Sequence, residues 1–101
     1  MKDRIMTELQ YQALALMQAL IGAISPNFRM IWISVKDTTQ INIILEEECA
    51  DDFEEIEDLK GEFEALQERS IDYEIKIFIN NRNLEFPDIA DSVIVYKRRE
   101  I

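Results

Sequence analysis

The sequence predicts an α+β fold. The expected architecture is a two-layer sandwich in the order α-β-β-α-β-β, a four-stranded mixed sheet with two helices on one face. Three observations predict it. Two long segments carry apolar residues at helical spacing, and four short ones alternate or are rich in β-branched and aromatic residues. The two kinds of segment recur as a helix and a hairpin, twice over, at a spacing of roughly 46 residues without a sequence repeat. The unit from Gln40 to Ile79 then reads strand–helix–strand, and a right-handed crossover makes its two strands parallel. Helices gathered on one side of such a sheet bury one shared core. A circularly permuted ferredoxin-like fold has this element order and is the expected topology. The 101 residues make a single domain, 1–101, large enough for one core without staples.

The first helix is expected from Asp3 to Ile24. Ile5, Leu9, Ala13, Leu16, Leu20 and Ile24 line one face, with Met6 and Met17 beside them. No charged residue occurs from Leu9 through Phe28, yet Gln10, Gln12 and Gln18 interrupt the run, so a buried helix fits better than a membrane span. Tyr11 and Leu14 fall off the main stripe, which points either to strands wrapped around the helix or to a homodimer contact. Gly22 and Ser25-Pro26-Asn27 stop it, because the residue before a proline avoids the helical region.

Phe28 to Lys36 reads as a strand in which Phe28, Met30 and Trp32 alternate with Arg29, Ile31 and Ile33. Asp37-Thr38-Thr39 is a turn. Gln40 to Glu46 returns, with Ile41, Ile43 and Leu45 on one face. The cleanest alternation comes later: Ile71, Tyr73, Ile75, Ile77 and Ile79 point one way, while Asp72, Glu74, Lys76 and Asn80 point the other, with Phe78 the exception. Asn80-Asn81-Arg82-Asn83 is a loop, Phe86 to Asp91 is expected to form a single helical turn, and Ser92 to Lys97 is the last strand. The basic ending Lys97-Arg98-Arg99 can pair with the acidic helix or guard a sheet edge.

Between the two hairpins lies Glu46 to Arg69, with 12 of the chain's 21 acidic residues and, before Arg69, one base, Lys60. Phe53, Ile56, Leu59, Phe63 and Leu66 form an apolar stripe, and Glu54, Glu57, Asp58, Glu62, Glu64 and Glu68 share the other side. Asp51 with Glu55, Glu54 with Asp58, Asp58 with Glu62 and Glu64 with Glu68 stand four apart, and each such like-charge pair costs roughly 0.2–0.5 kcal/mol. Interspersed lysines would have avoided that repulsion. The segment is therefore either an ordinary solvated face or a surface shaped for a basic partner. On the second reading Asp51, Asp52, Glu54, Glu55, Asp58 and Glu62 are the candidate contacts to lysine or arginine. Gly61, amid these acids, costs about 1 kcal/mol relative to alanine in a helix interior and either is tolerated or lets a partner approach closely. Tyr96 or Phe86 can supply an aromatic anchor.

Composition removes most chemistry. A net charge of −10 argues against direct nucleic-acid binding and favours encounter with cationic surfaces. The chain has no histidine, one cysteine and two glycines, so no thiol, zinc or phosphate-loop site is built, and no cofactor is expected. Glu46-Glu47-Glu48 and Asp51-Asp52 lack calcium-loop spacing. The expectation is a non-enzyme. Cys49 reads as a small apolar residue near a helix start and fits a reducing compartment; with no signal-peptide pattern at Lys2-Asp3-Arg4, the expected location is the cytoplasm.

A helix closing on Ile24-Ser25-Pro26-Asn27-Phe28-Arg29, an acidic second helix and the ending Val95-Tyr96-Lys97-Arg98-Arg99-Glu100 together resemble immunity proteins of bacterial contact-dependent growth inhibition systems. The resemblance implies a cytosolic antitoxin that binds and neutralises a cognate toxin domain. Such toxins are often nucleases, including ones that cut transfer RNA. It implies a monomer before the complex forms, and it transfers no contact residue. A basic ribonuclease domain as partner agrees with the charge argument. Two alternatives stay open: a small acidic secretion chaperone, favoured by the charge-free first helix, and a nucleic-acid mimic that blocks a DNA-binding protein.

Overall fold

The computed structural model describes residues 7–86 and 91–100. Six elements follow in the expected order: α1 (Glu8–Ala19), β1 (Phe28–Val35), β2 (Thr39–Leu45), α2 (Ala50–Ala65), β3 (Tyr73–Ile79) and β4 (Ser92–Lys97). Asp3, Ile5, Met6 and most of the helical turn expected at Phe86 to Asp91 lie outside the described residues.

α1 is shorter than its apolar periodicity suggests, and α2 is shorter than the acidic segment Glu46 to Arg69. A capping box sets the start of α1: Thr7 Oγ1 accepts from the Gln10 amide at 3.1 Å, and Gln10 Oε1 accepts from the Thr7 amide at 2.9 Å. At the other end the helix stops at Ala19 rather than Ile24, because Gly22 takes a positive φ of 85° and turns the chain. The second helix starts at Ala50, so Glu46 to Cys49 of the acidic segment stay outside it. Asn27 holds the preceding loop: its amide nitrogen Nδ2 donates to the Glu47 carbonyl at 2.8 Å, and its Oδ1 accepts from the Glu47 amide at 3.0 Å. A backbone fastened this way to the α1–β1 turn is not free to wind into the helix.

The strand order in the sheet is β3-β2-β1-β4. β1 pairs antiparallel with β2 and β4, and β2 pairs parallel with β3, Thr39 lying opposite Tyr73 and Leu45 opposite Ile79. The parallel pair was expected; its adjacency departs from the ferredoxin-like arrangement, whose split βαβ unit leaves room for a strand between the two. Here the crossover through α2 joins neighbours. That puts β3 and β4 at opposite edges.

The helix-side face of the sheet carries Phe28, Ile31, Ile33, Ile41, Ile43 and Leu45. These pack against Ala13, Leu16, Ala19 and Leu20 of the α1 region and Ile56, Leu59 and Phe63 of α2. A bulge at Arg29 shifts the phase of β1, so Phe28 joins Ile31 and Ile33 while Met30 and Trp32 turn to the opposite face. The strict alternation read from the sequence therefore fails at one residue. On that opposite face Met30 and Ile44 are buried, and Trp32 stacks with Phe78 at a ring separation of 6.1 Å. β3 is also less covered than its alternation suggests. Tyr73 and Ile75 pack on the core, but Ile77 and Ile79 are exposed on this edge strand, which among the described residues has β2 as its one strand neighbour.

Candidate functional site

Local chemistry explains where α2 sits. Asp51 and Asp52 occupy its first turn, where negative charge is favoured by the helix dipole. Ile56, Leu59 and Phe63 are buried on one side, and the Phe63 and Tyr73 rings meet at 5.2 Å across the helix–sheet contact. Burial of about 1.5–3 kcal/mol per large apolar side chain outweighs the like-charge repulsion along the outer side. Core packing thus holds the helix in place and leaves its acidic face outward.

The candidate carboxylates are not equivalent. Asp51, Glu54, Glu55, Asp58 and Glu62 are exposed, and among the described residues none is ion-paired to a lysine or arginine. From Asp51 to Glu62 the row is about 17 Å long at 1.5 Å per residue. Asp52 is different. It is 4% exposed and accepts from Asn27 Nδ2 at 2.9 Å, so it fastens α2 to the α1–β1 turn and has no surface to offer a partner. Two other acids of the helix are also engaged: Glu57 pairs with Lys60 at 2.7 Å, and Glu64 accepts a short hydrogen bond from the Tyr73 hydroxyl. Burial, and then that contact with Glu64, push the Tyr73 phenol well above its ordinary value.

α1 runs beside α2 and antiparallel to it. Its first turns are tied to the end of α2 by reciprocal amide bonds between Gln12 and Gln67, both 2.8 Å, and by the Tyr11 hydroxyl donating to the Leu66 carbonyl at 2.8 Å. Tyr11, off the main apolar stripe, therefore serves the helix–helix contact. At the other end, Gln18, Ile21, Gly22 and Ala23 face Glu55, Asp58 and Glu62 across a shallow cleft. Leu14, Met17 and Ile21 remain exposed. Leu14 and Met17 stand three apart on α1, and Ile21 on the turn that follows extends this apolar edge.

The basic ending does not reach the acidic helix. Arg98 pairs with Glu46 at 2.8 Å and with Glu100 at 3.0 Å, and it donates to the Pro26 carbonyl at 2.7 Å. Arg29, 5% exposed, binds the same Glu100 and donates to the carbonyls of Asn80 and Arg82 at 2.7 and 2.6 Å. The hydrogen bond from Arg29, reinforced by Arg98, holds the Glu100 carboxyl down at about 2. Of the two proposed aromatic anchors, Tyr96 packs against the core, whereas Phe86 is 62% exposed beside Lys97.

A row of exposed carboxylates with no cation paired to them among the described residues, beside a helix that is uncharged after Glu8 and carries exposed apolar residues, has the make-up of a protein-binding surface. A family model described as MafI2 immunity protein matches residues 10–100. The chain belongs to the MafI2 immunity protein family. The matched span takes in all six elements apart from Glu8 and Leu9 at the start of α1. Membership makes the chain an immunity protein of a toxin system, with a toxin as its partner. No curated protein is significantly similar to it. Among the described residues, no helix is long and apolar enough to cross a membrane, and no group of three His, Cys, Asp or Glu side chains converges on a metal position.

Proposed function

We propose that this MafI2 family member neutralises a cationic nuclease toxin by a stoichiometric, non-catalytic block. The observation that carries the reading is the exposed row Asp51, Glu54, Glu55, Asp58 and Glu62, with no cation paired to it among the described residues, in a chain of net charge −10. A nuclease presents lysine and arginine to hold phosphates, and a fixed row of carboxylates competes for that surface. Such charges act chiefly on association rate and partner choice. Asp52 is left out of the interface because its carboxylate is buried against Asn27.

The finer proposal follows the resemblance to contact-dependent growth inhibition immunity proteins. The toxin is a contact-delivered ribonuclease, with transfer RNA as a candidate substrate, and a monomeric immunity protein meets it in the cytoplasm. The test is calorimetric titration of the cognate toxin domain at about physiological salt, with a nuclease assay alongside. One-to-one nanomolar binding with loss of nuclease activity is expected. Glu54→Lys with Asp58→Lys should weaken both binding and inhibition while leaving the fold intact. A toxin that binds without loss of activity, or a double variant that inhibits as well as the parent, would overturn the reading.

A further inference from the structure

The exposed apolar side chains of the α1 end call for an occupant. Leu14 is 52% exposed, Met17 41% and Ile21 81%, whereas Ala13, Leu16, Ala19 and Leu20 are buried on the neighbouring side. None of the three exposed residues contributes to the core, and no charged residue stands between Leu9 and Phe28 to break up the surface. Their position is also fixed. The Leu20 amide donates to the Leu16 carbonyl at 2.9 Å, the Ile21 amide to the Gln18 carbonyl at 3.3 Å and the Ala23 amide to the Leu20 carbonyl at 2.9 Å, with Gly22 closing the turn. Ile21 is thus held outward on an ordered turn, and little backbone entropy remains to be lost when something covers it.

Charge decides what that occupant is. The cleft beside Ile21 has Glu55, Asp58 and Glu62 as its far wall, three of the five exposed carboxylates of the row. A second copy presenting the same face would bring carboxylates toward carboxylates, and an anionic membrane surface would be repelled in the same way. A cationic protein surface satisfies both walls at once. We propose that Met17 and Ile21, with Leu14 beside them, form the apolar anchor of the toxin interface, and that the toxin segment seated there is an apolar side chain flanked by lysine or arginine. This rests on the proposed toxin-blocking function and adds its energetic centre. An apolar patch bordered by charge is the arrangement in which a few side chains supply most of the affinity and the charged border supplies rate.

The experiment measures association and dissociation kinetics of the full chain against the cognate toxin domain at two salt concentrations. Met17→Gln with Ile21→Gln, and Ile21→Gln alone as a second variant outside the helix proper, should raise the dissociation rate. About 10–100-fold is expected for the double change, the loss of one or two buried apolar side chains. The association rate and its salt dependence should stay within about threefold. Glu54→Lys with Asp58→Lys should do the reverse, slowing association and flattening its salt dependence. If both glutamine variants dissociate like the parent while the lysine variant loses binding, the anchor is refuted and the carboxylate row stands. A parent chain that does not bind the toxin refutes the row and the anchor together. A parent dimer that the glutamine variants dissociate, with toxin binding unchanged, reassigns the face to a second copy.

Discussion

Charge is handled in opposite ways at the end of the sheet and on the outer face of α2. At the sheet end, Arg29, Arg98, Glu46 and Glu100 close on one another and on three backbone carbonyls, so every charge has a nearby partner. On α2, Asp51, Glu54, Glu55, Asp58 and Glu62 stand in solvent, with no cation paired to them among the described residues. The first arrangement consumes two of the chain's 11 basic residues to hold a loop and the chain end. The second leaves its charge available for something outside the molecule. Acidic residues of the same kind are thus structural or interactive according to where the cations lie, and composition alone does not distinguish them.

The largest expected effect on stability comes from breaking the paired end. Arg29→Met removes a buried guanidinium that serves two carbonyls and Glu100, and should cost about 2–4 kcal/mol by urea unfolding. Toxin affinity, measured where the variant is still folded, should be unchanged. A variant as stable as the parent would show that the network contributes nothing to folding.

Breaking the unpaired face should have the opposite profile. Glu54→Lys with Asp58→Lys turns the repulsion between positions 58 and 62 into an attraction, while positions 54 and 58 stay like-charged and Asp51–Glu55 is untouched; at roughly 0.2–0.5 kcal/mol per contact, stability should hold or rise by at most about 1 kcal/mol. Affinity for the toxin should fall at least about tenfold. Loss of stability with unchanged binding would invert the comparison.

Acid sharpens the same contrast. The Glu100 carboxyl is lowered from 4.5 to about 2 in the folded chain, so its stabilising contribution is complete above about 4.5 and is lost as pH falls through about 2. The stability difference between the parent and Glu100→Gln should be constant at neutral pH and shrink to nothing across that window. Unfolding curves taken at a series of pH values measure it. A difference that persists at pH 2 would mean that Glu100 acts by packing and not by charge.

The smallest effect concerns Gly61, where an added Cβ meets nothing within 4 Å. Gly61→Ala should therefore stabilise α2 by about 0.5–1 kcal/mol in a thermal or urea melt. If the alanine also weakens toxin binding, a partner approaches that backbone closely. If it does not, the glycine is simply tolerated.

Much of this was legible in the residues. The periods of Ala13, Leu16 and Leu20, of Ile56, Leu59 and Phe63, and of Ile41, Ile43 and Leu45 each point to the face that proves buried, because burial acts on every turn or every second residue. The bulge at Arg29 was not legible, since one extra residue in a strand is visible only against its partner. Nor was the fate of Asp52. It shares the acid-rich first turn of α2 with Asp51, yet one carboxylate meets Asn27, which lies 25 residues away in sequence, and the other faces solvent. The exposed apolar patch was half visible: Leu14 stood off the main stripe, but Ile21 lies on the turn after the helix ends at Ala19.

By itself, then, the sequence determined the kind and order of the six elements, their apolar faces and the concentration of acid on α2. These are local properties, set by spacing along the chain and by side-chain type. Tertiary structure alone decided the strand order β3-β2-β1-β4, the capture of Asp52 by Asn27 and of Glu100 by Arg29, and the cleft that Ile21 shares with Glu55, Asp58 and Glu62. Each of these joins residues distant in sequence. Such contacts depend on how the elements pack together, and no local period records that.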